Sequence, residues 1–272
     1  MNIGLIAGGG QFPLLFSKKA AKKGYKVFAV GFKSETDPQL LDIVEELRWL
    51  HVGQISKLIQ YFKEHDITQA VMLGSMNKVK IFKDIRPDFK ALAFIAKNII
   101  THDDSVLRAL SDLFLKHDIQ ILPSTFLLPE LISPKGVWTR RKPDKAENKD
   151  IVQGWKTARR IGELDIGQCV VISNGTVMAV EAIDGTDATI LRGGKLSGKN
   201  NAVVVKLCKP GQDLRFDLPS CGVQTIETMQ AAGAKVLAIE AQKSVSFDRE
   251  EMIALADTYG ISIIALTDDE IQ

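Results

Sequence analysis

The sequence predicts an α/β protein of two domains, an N-terminal Rossmann-like parallel sheet and a C-terminal mixed α/β domain, with the ligand cleft between them. Three observations lead there. Apolar runs of strand length alternate with helical patterns through the first half. A glycine turn, Gly8-Gly9-Gly10, joins the first run to the first helix. The 272 residues amount to one to two domains at roughly 150 residues each. The expected division is a domain over residues 1–128, a linker over 129–145 and a catalytic domain over 146–272.

Residues 3–7 are a short apolar run, and a helix follows the glycines. Pro13 suits its first turn, where a missing N–H costs nothing, and Gly24 suits its end. Lys26–Val30 reads as a second strand, Gln54–His65 as an amphipathic helix and Gln69–Leu73 as a third strand closed by Gly74. Helical patterns cover residues 88–100 and 105–116, with a short strand at Gln120–Leu122. Pro129, Pro134 and Gly136, followed by Arg140-Arg141-Lys142-Pro143, read as the linker. A helix over Lys145–Gly162 opens the second half. Strands at Cys169–Ile172 and Val177–Ala182 flank Asn174-Gly175, a hairpin signal. A short helix near Asp187–Leu191, a strand at Ala202–Leu207 and a helix–strand–helix–strand run over Thr225–Leu266 complete the chain.

Composition narrows the function. With 45% hydrophobic and 25% charged residues the chain can form an ordinary core. Thirty-five Lys and Arg against 33 Asp and Glu leave +2, which argues against a nucleic-acid partner. Cys169, Cys208 and Cys221 include no CxxC pair, so neither a disulfide framework nor a thiolate zinc site is expected, and a reducing compartment fits. His51, His65, His102 and His117 show no HxxxH spacing. No secretory leader or run of about eighteen apolar residues is read, so the expectation is a cytoplasmic, non-spanning chain.

The glycine turn reads either as a tight turn alone or as the approach of backbone N–H groups to a phosphate. An NAD fingerprint is disfavoured. Pro13 stands where G-x-G-x-x-G wants glycine, and no carboxylate stands just after the second strand to hold a ribose. A P-loop motif is absent. Glu181, Asp184 and Asp187, followed by Arg192-Gly193-Gly194-Lys195 and Lys199, read either as a cation and phosphate site or as a solvated loop. In Asp213-Leu214-Arg215-Phe216-Asp217-Leu218-Pro219, Asp217 lies between apolar residues. It reads as a metal ligand or base, or as a partner of Arg215. Cys221 reads as a packed thiol or a nucleophile.

These residues resemble the LpxI family. The resemblance is carried by Gly4-Leu5-Ile6-Ala7-Gly8-Gly9-Gly10-Gln11-Phe12-Pro13, by Asp103-Asp104-Ser105-Val106-Leu107-Arg108, by Glu181-Ala182 with Gly185-Thr186-Asp187, and by the motif around Asp217 with Gly222 and Thr225. It spans nearly the whole chain. Two positions depart from it, His102 in place of glycine and Cys221 in place of an aliphatic residue.

The resemblance implies a Mg²⁺-dependent hydrolase of lipid A biosynthesis. It would cut UDP-2,3-diacylglucosamine into 2,3-diacylglucosamine 1-phosphate and UMP, water attacking the α-phosphorus. The family's catalytic aspartate falls on Asp217. The chemistry needs a cation, a positioned water and donors to phosphate oxygens. Candidate metal ligands are Asp217, Asp187 and Asp213, with Glu181 as a further one. Candidate substrate contacts are Gly8, Gly9, Gly10, Gln11, Thr186, Arg192, Lys195 and Arg215, with Lys206 beside them. The diacyl substrate implies peripheral contact with the cytoplasmic face of the inner membrane, through Arg140-Arg141-Lys142 or Lys18, Lys19, Lys22 and Lys23. A homodimer stays open as the assembly. The competing readings are a nucleotide-cofactor oxidoreductase and a non-catalytic lipid or nucleotide carrier.

Overall fold

Strand β1 (Asn2–Ala7) buries Ile3, Leu5, Ile6 and Ala7, and a strand apolar on both faces belongs in the middle of a covered parallel sheet. The computed structural model describes residues 1–33, 35–76, 86–88, 103–198, 201–216 and 218–271. Beyond Asp88, the helix expected over residues 88–100 lies outside them, as do His102, Lys199 and Asp217.

On one side β1 pairs in parallel with β2 (Lys26–Phe32), and β2 with β3 (Glu46–Leu50). On the other it pairs with β4 (Gln69–Leu73), and β4 with β5 (Gln120–Ile121). The order β3-β2-β1-β4-β5 is that of a doubly wound sheet, whose direction of winding reverses between β1 and β4. The reversal fixes where the site is sought, because the loops after those two strands diverge there. Helix α1 (Phe12–Lys22) carries Pro13 in its first turn and Lys19 and Lys22 in its last, the arrangement the helix dipole favours. In α2 (Ile55–Glu64), Leu58, Ile59, Tyr61 and Phe62 are buried, as is Phe114 of α3 (Asp103–Leu115). They pack with Ile6, Phe28, Val30 and Met72 of the sheet. Each such large side chain contributes about 1.5–3 kcal/mol by leaving water.

Strand β3 departs from expectation. Charged residues alternate with apolar ones at a sheet edge, and only Leu50 is fully buried. The alternation is only five residues long, and pairing with β2 reveals the strand.

The second sheet has the order β6-β13-β11-β9-β7-β8. Its strands are β6 (Gly136–Val137), β7 (Cys169–Ser173), β8 (Thr176–Val180), β9 (Ala202–Lys206), β11 (Ala234–Glu240) and β13 (Ser262–Leu266). Strands β9, β11 and β13 are parallel, while β6, β7 and β8 join antiparallel. Helix α4 (Lys145–Glu163) opens with a capping box of Asp144 and Glu147 and covers one face with Ile151, Trp155, Ala158 and Ile161. The opposite core takes Ile190 of α5 (Thr186–Leu196), Ile226 and Met229 of α6 (Val223–Ala232), and Met252 of α7 (Arg249–Tyr259). A separate parallel pair is formed by β10 (Ser220–Cys221) and β12 (Val245–Ser246). The hairpin turn forms as expected, with Asn174 at φ 49° and Gly175 at φ 75°. Both backbone N–H groups donate to Asp150 of α4.

The chain divides into two compact units, residues 1–129 with 213–216, and residues 130–212 with 218 onward. Two differences from expectation follow. Residues 130–144 are folded into the second unit: β6 is the outer strand beside β13, Trp138 N donates to Ile263 O, and Arg141 pairs with Glu147 at 2.5 Å. Pro and Gly mark its bends, so composition alone reads as a linker. Residues 213–216, expected in the catalytic domain, fold with the first unit. Ser124 N donates to Arg215 O at 2.9 Å, and Phe216 packs on the core beneath α2 and α3.

Candidate active site

In the first unit the ends of β1 and β4 are sewn together. Gly8 N donates to Leu73 O at 2.7 Å and Gly9 N to Ser75 O at 2.8 Å, while Ser75 N donates back to Gly9 O at 3.0 Å. A Cβ on Gly8 would lie 2.5 Å from Ser75 O, so glycine is required for this backbone contact. Gly8 and Gly9 thus spend their N–H groups inside the protein, contrary to the expectation that all three glycines offer donors. Gly10 has φ 85° with open space around it. Gln11 is the exposed N-cap of α1, whose first turn holds no acidic residue and no side-chain cap. Among the described residues no acceptor meets the Gly10 or Gln11 N–H. The ligand-facing part of the turn narrows to these two residues.

A residue the sequence reading passed over stands beside them. After β2 the chain turns back, with Glu35 N and Thr36 N both donating to Phe32 O at 2.9 Å. The Glu35 backbone then lies against Gly9, where a Cβ would sit 3.1 Å from Glu35 O. Its signal was an acidic residue three positions past the strand, which only the turn brings to the glycines.

In the second unit the cluster of carboxylates and cations is largely self-paired. Glu181, 7% exposed, accepts from Thr186 Oγ1 at 2.7 Å and from Gln168 N at 3.1 Å. Arg192 pairs with Asp184 at 2.8 Å and donates to Val180 O. That hydrogen bond holds the Asp184 carboxyl below the usual range. Asp187 is exposed in the first turn of α5, where the dipole favours an anion, and Lys195 is exposed in its last turn. The segment expected to be a short helix and a flexible glycine loop is one helix. Gly193 and Gly194 are buried in it because a Cβ would lie 2.5 Å from Val171 Cβ and 2.2 Å from Ala232 O respectively. The glycines serve close packing there.

Lys206 ends β9, is 7% exposed, and donates from Nζ to Ser220 O at 2.8 Å. Among the described residues no carboxylate pairs with it. Ser220 and Cys221 lead into the N-terminus of α6. Burial pushes the Cys221 thiol up to about 11, so at neutral pH it stays a packed thiol rather than a nucleophile.

Asp213 and Arg215 belong with the first unit and with each other. Arg215 Nη2 lies 2.7 Å and Nε 3.0 Å from the Asp213 carboxylate, and Arg108 is 3.9 Å away. The Arg215 guanidinium holds the Asp213 carboxyl below its ordinary value. Of the ligand set expected for Mg²⁺, Asp217 lies outside the described residues, Asp213 is paired with Arg215, and Asp187 is exposed on α5. Among the described residues no group of three His, Cys, Asp or Glu side chains gathers.

Residues 2–131 match the LpxI N-terminal domain and residues 134–264 the LpxI C-terminal domain. A protein of Caulobacter vibrioides, UDP-2,3-diacylglucosamine pyrophosphatase LpxI, is 30% identical over 284 residues, covering 99% of both chains. Among solved structures, the biotin carboxylase domain of Hydrogenobacter thermophilus 2-oxoglutarate carboxylase aligns with TM-score 0.29 and 9% identity, over 72% of this chain and 41% of that one. Phosphoribosylglycinamide synthetase from Anaerococcus prevotii aligns with TM-score 0.25 and 14% identity, over 70% and 42%. Both LpxI domains are matched in order over nearly the full length, and the chain belongs to the LpxI family.

Proposed function

We propose that this chain hydrolyses the pyrophosphate of UDP-2,3-diacylglucosamine to 2,3-diacylglucosamine 1-phosphate and UMP, a step of lipid A synthesis. The observation that carries the reading is the end-to-end match to the Caulobacter enzyme of that name. In this reading water bonds to the α-phosphorus and the bond to the bridging oxygen breaks. That oxygen leaves with the sugar phosphate. Charge building on the phosphate oxygens calls for fixed donors. The protein's own candidates are the Gly10 and Gln11 N–H groups, with Lys206 as a further cation. The family's catalytic aspartate, Asp217 by its motif, is assigned to direct the water. Mg²⁺, when bound, would neutralise pyrophosphate charge. Among the described residues no group of three His, Cys, Asp or Glu side chains gathers to hold it.

Among the described residues no helix is long and apolar enough to cross a membrane. Peripheral contact with the inner membrane is assigned to the exposed Lys18 and Lys22 of α1 and Lys23 at its C-cap, at about 1 kcal/mol per residue near an anionic surface. Arg141 is committed to Glu147, whereas Arg140, 93% exposed and 3.5 Å from Asp257, stays accessible. Incubating the protein with UDP-2,3-diacylglucosamine and Mg²⁺ in ¹⁸O-labelled water tests the proposal. UMP carrying the label is expected. No UMP would overturn the activity, and label in the sugar phosphate would overturn attack at the α-phosphorus.

A further inference from the structure

The fold leaves the Glu35 carboxylate unexplained. Thr36 Oγ1 donates to Ala7 O at 2.5 Å and accepts from Phe32 N at 2.8 Å. That clip ties the end of β2 to the end of β1 and sets the Glu35 backbone over Gly9. Glu35 Oε1 is sealed from solvent and has no hydrogen-bond partner among the described residues, although the residue as a whole is half-buried. Among the described residues no cation pairs with this carboxylate. Native structures keep few buried acceptors in that state, and each calls for a reason.

The surroundings supply one. Glu35 stands at the carboxyl ends of parallel strands, where the winding of the sheet reverses and ligands of such sheets bind. Its backbone lies against Gly9, the residue before Gly10 and Gln11, whose N–H groups meet no acceptor among the described residues at the start of α1. In doubly wound nucleotide-binding sheets, an acid beyond the second strand accepts from ribose hydroxyls while the first helix faces a phosphate.

We propose that Glu35 recognises the ribose hydroxyls of the substrate's nucleoside and makes the chain selective for ribonucleotides over 2′-deoxyribonucleotides. This rests on the proposed function for the identity of the substrate. A carboxylate whose acceptor otherwise stays unmatched discriminates against a ligand lacking the hydroxyl, on the order of 10- to 100-fold for one charge-assisted hydrogen bond.

The test compares kcat/KM for UDP-2,3-diacylglucosamine and its 2′-deoxyuridine analogue in the wild-type chain, Glu35→Gln and Glu35→Leu. The wild type is expected to prefer the ribose form by on the order of 10- to 100-fold. Glu35→Gln, which keeps an acceptor, retains part of that preference. Glu35→Leu brings the ratio close to unity by losing rate on the ribose substrate only. A wild type that treats both substrates alike overturns the proposal even if a variant fails to fold. A ratio unchanged in Glu35→Leu overturns it too, and leaves Glu35 as a counter-charge to the start of α1. Binding of UMP and dUMP by calorimetry reads the same preference without turnover. A chain that cleaves nothing yet binds UMP tenfold tighter than dUMP in a Glu35-dependent way loses the proposed activity and keeps this assignment.

Discussion

Asp213 illustrates how a single pairing redirects a residue's role. Its carboxyl is held below the ordinary range by the Arg215 guanidinium, which bonds both its oxygens. A carboxyl with a depressed native pKa favours the folded state in its ionised form. The contribution is therefore full above the unfolded value of about 3.9 and is lost as pH falls through it toward the native pKa. In urea unfolding followed from pH 7 to pH 2.5, Asp213→Asn is expected to be less stable than the wild type near neutrality. The gap should close at the acid end. A gap independent of pH would mean that the pair does not govern this segment. For the same reason Asp213 is a poor metal ligand, since a cation would first have to displace Arg215.

At the scale of elements, α5 shows two effects of opposite sign at Gly194. Helix propensity favours alanine over glycine by about 1 kcal/mol. Overpacking a buried contact costs about 1–3 kcal/mol, and a Cβ here would meet Ala232 O at 2.2 Å. Backbone atoms of a packed helix yield little, so the clash should win. Gly194→Ala is expected to lower stability by about 1–2 kcal/mol net, measured as the shift in urea midpoint at constant slope. A stabilised variant would show that α5 and α6 are less closely packed.

Much at this scale was legible in sequence: the alternation of strand and helix, the Asn174-Gly175 hairpin, and the start of α4 at Lys145. The rest was hidden for identifiable reasons. β3 carries Glu46 and Arg48 at a sheet edge, and its alternation is only five residues long. The Arg192–Lys195 run reads as a loop because glycines that permit close packing and glycines that permit turning look alike in a string.

At the scale of the whole molecule, the motif around Asp217 joins what chain order separates. Residues 213–216 depart from the second unit to pack with the first, with Phe216 in its core and Arg215 O bonded to Ser124 N. The proposed pyrophosphatase reaction places strong negative charge on its ligand, and the described carboxylates form no cation site of their own. EDTA is accordingly expected to abolish UMP release and added Mg²⁺ to restore it. Turnover undiminished by chelation would assign charge neutralisation to Lys206 and the backbone N–H groups.

The sequence by itself determined the α/β class, the doubly wound first half, the LpxI motifs and the absence of a net charge suited to nucleic acid. These depend on local periodicity, on turn residues and on strings of neighbours, which a chain carries wherever it folds. Only the tertiary structure decided which polar groups remain available. Gly8 and Gly9 give their N–H groups to Leu73 and Ser75, and Arg192 and Arg215 are claimed by Asp184 and Asp213. Glu35, which no sequence motif singled out, has its backbone beside the glycine turn and an oxygen unmatched among the described residues. Availability is settled by contacts between residues far apart in the chain, as between Gly9 and Ser75, or by a turn that reverses direction, as at Glu35. Both depend on three-dimensional distance, which residue order alone does not specify.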